Sequence, residues 1–232
     1  MRPTHVLVVV PAHQEGDRLA ACLDALARAT AAATSCAPGL RVRTTVVLDR
    51  CSDRSAEVVA GHDVDALPTD AGSVGAARRA GIAHARTVAG PITRPARCWV
   101  ANTDADSTVP EGWLVEQLDA AAAGADLVLG PVRLDPAEAD PVLVAAWTDR
   151  HTRPEQHVFG ANLGVRLTSY DAAGGFGAHH EHEDVRLVEA VAALGGRVTR
   201  SRSAVTTSAR RTGRTPGGLA GYLATLETDL VG

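Results

Sequence analysis

Short apolar runs that each stop at a cluster of acidic residues constrain this chain more than any other feature. Residues 5–10, 43–48 and 98–102 are rich in Val, Leu and other β-formers, the composition of strands buried on both faces of a parallel sheet. Between them, residues 16–33, 55–61 and 72–88 read as helices. Leu19, Cys22, Leu23 and Leu26 recur at three- and four-residue spacing, as do Val74, Ala77, Gly81 and Ala85, which places each set on one face of an amphipathic helix. With a short strand over 64–67, the order is β-α-β-α-β-α-β. Parallel strands joined by helical crossovers put helices on both faces of one sheet.

Further along, 111–124 and 183–194 are helical in pattern, and 127–134 and 197–205 each read as one strand. Residues 136–154 are helical in part, 157–167 strand and turn, and 219–230 a closing helix. The Arg-rich, Gly- and Pro-containing stretch 206–218 reads as a loop. No repeat and no linker divides the 232 residues. The expectation is one α/β domain with a Rossmann-like, mostly parallel central sheet.

Composition excludes several function classes. A net charge of −4 argues against a nucleic-acid binder held by a broad basic face. The apolar run Val6–Val10 is far short of the roughly 20 residues that span a bilayer, and too short for a signal-peptide core. Cys22, Cys36, Cys51 and Cys98 lack C-x-x-C spacing, so they read as reduced thiols of a cytoplasmic protein.

Ligands of open parallel sheets collect beyond the carboxyl ends of the strands. Pro11, Ala12, His13, Gln14 and Glu15 follow the first strand here, Asp49, Ser52 and Asp53 the second, and Asp104 and Asp106 the fourth. Carboxylates on one rim repel unless a cation or hydrogen-bond donors lie between them. Asp104-x-Asp106, in a turn after a hydrophobic strand, can converge on a hard cation; Mg²⁺ and Mn²⁺ prefer such oxygens and also bind phosphate. The alternative is that one of these acids only caps the next helix.

Five segments, 7–15 (LVVVPAHQE), 46–53 (VVLDRCSD), 75–81 (GAARRAG), 99–107 (WVANTDADS) and Glu183-Asp184, resemble in order and spacing the motifs of family-2 glycosyltransferases. These are GT-A-fold enzymes that use nucleotide-sugar donors. The resemblance runs from about residue 6 to about 190. It implies a nucleotide-binding half over about 1–110 and an acceptor half over about 111–232. Pro11 and Glu15 match the motif that lines the nucleotide base, with Ala12 and Ser52 in the same strand-end turns. Asp49 holds the place of the acid facing the uracil imide, and Arg78 that of a basic residue near base or diphosphate. Asp104 resembles the ribose- or metal-side acid and Asp106 the direct ligand of Mg²⁺ or Mn²⁺. Asp184, with Glu183 as second choice, matches the general base of inverting members. Either acid is also suited simply to capping its helix.

Three histidines in four positions, His179, His180 and His182, suggest a metal site by composition. His180 or His182 is a candidate to join Asp106 on the catalytic metal. Gly160 and Asn162 lie in the segment that approaches the donor sugar in the family, where small residues admit it and Asn162 either contacts a hydroxyl or forms a turn. Arg210, Arg211 and Arg214 suit a diphosphate or an anionic acceptor, or a solvated loop.

The resemblance implies a UDP-linked donor, an inverting reaction, and a small-molecule, glycan or lipid-linked acceptor, with no integral membrane segment. A retaining transferase of the same fold, a nucleotidyltransferase and a silent nucleotide-sugar binding module are the alternatives. The chain lacks the Lys-containing loop of nucleotidyltransferases, having no Lys at all, and lacks a G-x-G-x-x-G after the first strand. The latter disfavours a Rossmann dehydrogenase. Acceptor contacts are expected from 135–157 and 206–218.

Overall fold

The computed structural model describes residues 1–152, 157–177, 182–211, 213 and 218–231. The first part of the chain forms β1 (His5–Ala12), α1 (Leu19–Cys36), β2 (Arg41–Asp49), α2 (Ser55–Ala60), β3 (Asp65–Thr69), α3 (Val74–Val88) and β4 (Cys98–Asn102). Then come β5 (Ser107–Thr108), α4 (Trp113–Ala122), β6 (Leu127–Leu129), β7 (Val132–Leu134), α5 (Pro141–Arg150), β8 (Leu163–Arg166) and α6 (Leu167–Ala172). The last elements are α7 (Glu183–Ala193), β9 (Val198–Arg200), β10 (Val205–Thr207) and α8 (Leu219–Val231).

A seven-stranded sheet runs β3-β2-β1-β4-β8-β6-β9 and a small sheet runs β5-β10-β7. The large sheet is parallel except for β8, which pairs antiparallel with both β4 and β6. Its alternating side chains divide the core in two. Val6, Val8 and Val10 share one core with Leu19, Leu23 and Leu26 of α1 and with Trp113, Leu114 and Leu118 of α4. Leu7 and Val9 share the other with Ala77, Ile82 and Ala85 of α3 and with Leu187 and Val191 of α7. Both faces of β1 are thus buried, which is why its sequence is a continuous apolar run and not an alternation.

Two strands expected to be continuous are broken, and in step. The 127–134 run stops at Gly130-Pro131, so β6 stays in the large sheet while β7 enters the small one. The 197–205 run likewise divides into β9 and β10. Each half pairs with its counterpart, β6 with β9 and β7 with β10. Asn162 holds the crossover: its amide nitrogen donates to the carbonyls of Pro131 and Ser203, at 2.9 and 2.8 Å. Glu116 of α4 accepts from the N–H groups of Arg202 and Ser203 at the second break, at 2.6 and 2.9 Å. These partners take over the backbone groups that leave the ladder.

At Gly81, helix α3 touches the sheet so closely that an added Cβ would lie 2.6 Å from methyls of both Val9 and Val47. Helix propensity favours Ala over Gly by about 1 kcal/mol, whereas overpacking a tight contact costs about 1–3 kcal/mol. Gly81→Ala is therefore expected to lower stability by about 1 kcal/mol net. A lower urea midpoint with an unchanged m-value checks this.

Candidate active site

The turns after β1 and β2 are laced together. Gln14, in the left-handed region at φ 57°, accepts at Oε1 from the N–H groups of Ser52 and Asp53 and donates to the Ser52 hydroxyl at 2.8 Å. Asp53 accepts from Gly16 N–H at 2.7 Å. His13 Nδ1 lies 2.7 Å from the Asp49 carbonyl, which can only accept, so that nitrogen carries the proton. This lacing sets Glu15 into the wall of a cleft with 6% of its surface exposed. Its Oε1 meets Arg210 at 2.5 Å, while its buried Oε2 has no hydrogen-bond partner among the described residues.

Asp104 and Asp106 stand in the turn after β4. The Asp104 carbonyl accepts from Ser107 N–H, closing the turn. Asp106 is hemmed in by the small sheet: its carbonyl accepts from Ser208 N–H, and its Oδ2 lies 3.2 Å from Arg210. Burial pushes the Asp106 carboxyl up to about 6, with the charges of Asp104 and Glu15 adding to the rise and Arg210 opposing it. Asp104, Asp106 and Glu15 crowd this rim, and Arg210 is shared between the last two.

Arg78 enters from α3 with 2% exposure. Its guanidinium joins Asp104, at 2.5 Å, to Glu183 at the start of α7. The approach is possible because residue 160 is Gly; a Cβ there would lie 2.5 Å from the guanidinium. Gly160 also donates its N–H to Asp184 Oδ2 at 2.8 Å, and Asp184 Oδ1 accepts from Val185 N–H at 2.8 Å. The two neighbouring acids are thereby used differently. Glu183 is buried in an ion pair, whereas Asp184 is half-buried and has no ion pair among the described residues.

A cleft of about 830 Å³ gathers Pro11, Ala12, Glu15, Arg78, Asp104 and Asp106 on one side. Gly160, His182, Glu183 and Asp184 stand on another. Asp49 and Ser52 lie outside its walls: Asp49 is buried and accepts from Gly72 N–H at 3.1 Å, and Ser52 is held by Gln14. The sugar contact expected of Asn162 is corrected. Besides the two carbonyls bound by its nitrogen, its oxygen accepts from Trp113 Nε1 at 2.9 Å, and the side chain is 1% exposed. Both of its N–H donors hold the sheet crossover, and burial of the side chain keeps it from a ligand.

His182 is exposed at φ 59° and lines the cleft, but among the described residues no three His, Cys, Asp or Glu side chains form a metal-binding group. His179, His180 and Arg214 lie outside the described residues. Arg211 pairs with Glu227 of α8. The oxygen donors of Asp104 and Asp106, with Asp106 raised by burial and by its acidic neighbours, nevertheless fit a hard divalent cation. Sequence reasoning missed two features: the double engagement of Arg210, and a wall of rings from Trp147, His151, His157, Phe159 and Tyr222. A chain only 3% aromatic that places Trp147 and Phe159 in or beside a suspected acceptor segment carried a faint signal of the second.

The family model for glycosyl transferase family 2 matches residues 7–168. Solved structures of similar fold include S. aureus TarS 1–349, at 13% identity and TM-score 0.60, covering 89% of this chain and 61% of that one. The mannosyltransferase PcManGT from Pyrobaculum calidifontis, in complex with GDP-Man and Mn²⁺, is 16% identical with TM-score 0.65, covering 92% and 59%. Glucosyl-3-phosphoglycerate synthase from Mycobacterium tuberculosis, in complex with Mn²⁺, UDP and phosphoglyceric acid, is 14% identical with TM-score 0.57, covering 100% and 79%. The chain thus spans about three-fifths of the length of the first two. No curated protein matches by sequence.

Two outcomes test this geometry. Because the folded-state pKa of Asp106 lies above its ordinary value, the folded protein binds the extra proton between about pH 4 and pH 6. Stability of the metal-free protein therefore falls as pH rises through that window. Asp106→Asn is expected to flatten this dependence and to be more stable than the parent at pH 7, by on the order of 2 kcal/mol. Denaturant titrations of both proteins with chelator present, at pH 4 and pH 7, check it. Asn162→Ala leaves a buried indole N–H and two carbonyls without their partner and is expected to cost about 2–4 kcal/mol, read as a fall in Tm.

Proposed function

This chain belongs to glycosyl transferase family 2, and on that premise we propose that it transfers a sugar from a nucleoside-diphosphate donor, UDP-linked, to an acceptor hydroxyl with inversion at the anomeric carbon. The observation that carries this reading is the division of acids in one cleft. Asp104 and Asp106 sit at the β4 end, and Asp184, without an ion pair among the described residues, stands on the wall formed by the start of α7. A transferase needs cation-binding acids at the leaving diphosphate and an unengaged base at the acceptor.

In this reading the half over about 1–110 takes the nucleotide. Pro11, Ala12 and Glu15 line the base side, with Asp49 and Ser52 in the supporting turns. Asp106, with Asp104, would hold Mg²⁺ or Mn²⁺. Such an ion neutralises the charge that builds on a leaving diphosphate. Arg210 is exchangeable between the two acids it now bridges and an incoming phosphate, which Arg binds well. Gly160 leaves room beside Arg78 and presents its N–H to Asp184.

Asp184 accepts the proton of the acceptor hydroxyl. The acceptor oxygen forms the new bond to the anomeric carbon as the bond to the phosphate oxygen breaks, and that electron pair leaves with the diphosphate. The N–H groups of Gly160 and Val185 fix the carboxylate's orientation at a helix N-terminus, where the dipole favours its charged form. Glu183 is ill suited to the task because Arg78 engages it in a buried pair.

Removal of a general base costs about 10²–10⁴ in rate. Asp184→Asn is expected to lose turnover by that order while UDP binding, measured calorimetrically with Mn²⁺, stays within twofold of the parent. Product NMR should show inverted anomeric configuration. Near-normal turnover in Asp184→Asn would falsify the assignment, and absence of UDP binding at millimolar concentration would overturn the reading as a whole.

A further inference from the structure

The acid-lined part of the cleft accounts for donor and base; the rest of its wall is built of rings. Trp147, in the last turns of α5, stacks on His151 with centroids 3.8 Å apart and planes 21° from parallel. His151 lies 4.2 Å from His157, and Phe159 lies 5.9 Å from Trp147. Tyr222 of α8 meets both Trp147 and His151 edge-on at 5.9 Å. In a chain with three Trp, two Tyr and two Phe, one of each converges here.

Packing alone does not account for this cluster. Trp99 and Trp113, which serve the core, are fully buried at 0% exposure. In the ring wall only Trp147 is buried, with its Nε1 donating to the Val132 carbonyl at 3.1 Å. Tyr222 is 38% exposed, and His151, His157 and Phe159 are half-buried. Rigid aromatic rings anchored on a buried base and open on one side form a platform for another ring.

Burial and hydrogen bonding keep His151, at the centre of the platform, neutral. His151 Nδ1 lies 2.8 Å from the Trp147 carbonyl, which can only accept, so this nitrogen holds the proton and Nε2 is left as an acceptor. Burial holds the His151 imidazole below its ordinary pKa, with His157 and Arg150 adding to the effect. The cations among the described lining residues, Arg78 and Arg210, are both engaged by the acids of the cleft. Among the described lining residues acids therefore outnumber arginines, a balance that disfavours an anionic acceptor. The platform also adjoins the base: Phe159 immediately precedes Gly160, whose N–H holds Asp184.

We propose that Trp147, His151, His157, Phe159 and Tyr222 form the acceptor subsite, and that the acceptor is an uncharged, hydroxyl-bearing ring laid on this platform beside Asp184. The inference rests on the reading of the cleft as a glycosyltransferase site. Two sources share this chemistry, a sugar ring and a phenol.

Saturation-transfer NMR on the intact protein distinguishes them, with methyl β-glucoside, 4-methylphenol and phosphoglyceric acid as probes, each run with and without UDP and Mn²⁺. Saturation is expected on the ring protons of the glucoside or of the phenol, and the responding probe identifies the source. In Phe159→Ala/Tyr222→Ala the loss of two aromatic contacts should weaken that binding by about tenfold, with UDP affinity unchanged. Tyr222→Ala alone, at an exposed position, should give a smaller loss and guards against a folding artefact. The proposal is overturned if phosphoglyceric acid binds in preference to both rings, if neither ring binds, or if ring binding survives in the double variant. Failure of UDP to bind, seen calorimetrically, overturns the parent reading instead; the nucleotide-free runs still report on the platform.

Discussion

A buried arginine organises this molecule. Arg78 lies almost wholly out of water and joins the end of β4, through Asp104, to the start of α7, through Glu183. A lone buried guanidinium would be too costly to keep, so two carboxylates must stay with it. Both acids hold the arginine firmly in its charged form despite burial, which acts the other way. Burial pushes the Glu183 carboxyl up while Arg78 pulls it down. Two elements far apart in sequence are therefore fixed across one cleft. Because Glu183 is committed to that task, its neighbour Asp184 is left to a lighter hold by backbone N–H groups.

The second constraint is the crossover from the large sheet to the small one. Asn162 ties Pro131 to Ser203 at the points where both strand runs change sheets. The small sheet then brings Thr207 and Ser208 against Asp106, and Arg210 two residues on against Asp106 and Glu15. An amide that resembles a ligand contact in the linear sequence thus acts by shaping the rim that carries the acids. The consequence is a cleft with a charged end, where acids outnumber arginines among the described residues, and an end of rings beside Asp184. On the proposed reading, the first serves a charged leaving group and the second a neutral nucleophile.

Much of the fold was legible because burial imposes periodicity on sequence. Val6 to Val10 alternate between two apolar cores, and a short apolar run rich in β-branched residues is what a strand covered on both faces requires. The acids at 104, 106, 183 and 184 were legible because strand ends and helix starts are where an open α/β sheet displays side chains. The strand breaks at 130–131 and 201–204 were not, although Gly130-Pro131 is a turn signal, because nothing local shows that the two runs break in step and change sheets together. What interrupts them is a side chain 31 and 41 positions away from its partners.

The sequence by itself determined the α/β class, the order of the main elements, the family and the acids available for chemistry. These depend on local propensity, on alternation, and on short motifs contained within single strand-end turns. Only the tertiary structure decided that Glu183 is committed to a buried ion pair while backbone N–H groups hold Asp184, that Asn162 is a structural pin, and that rings from α5, the segment before β8, and α8 share one wall with Asp184. Each of those facts depends on non-local distances and on competition for a limited set of partners. Local sequence patterns register neither, because which group reaches Arg78 or Asn162 is settled only when the sheet has closed and water has been excluded.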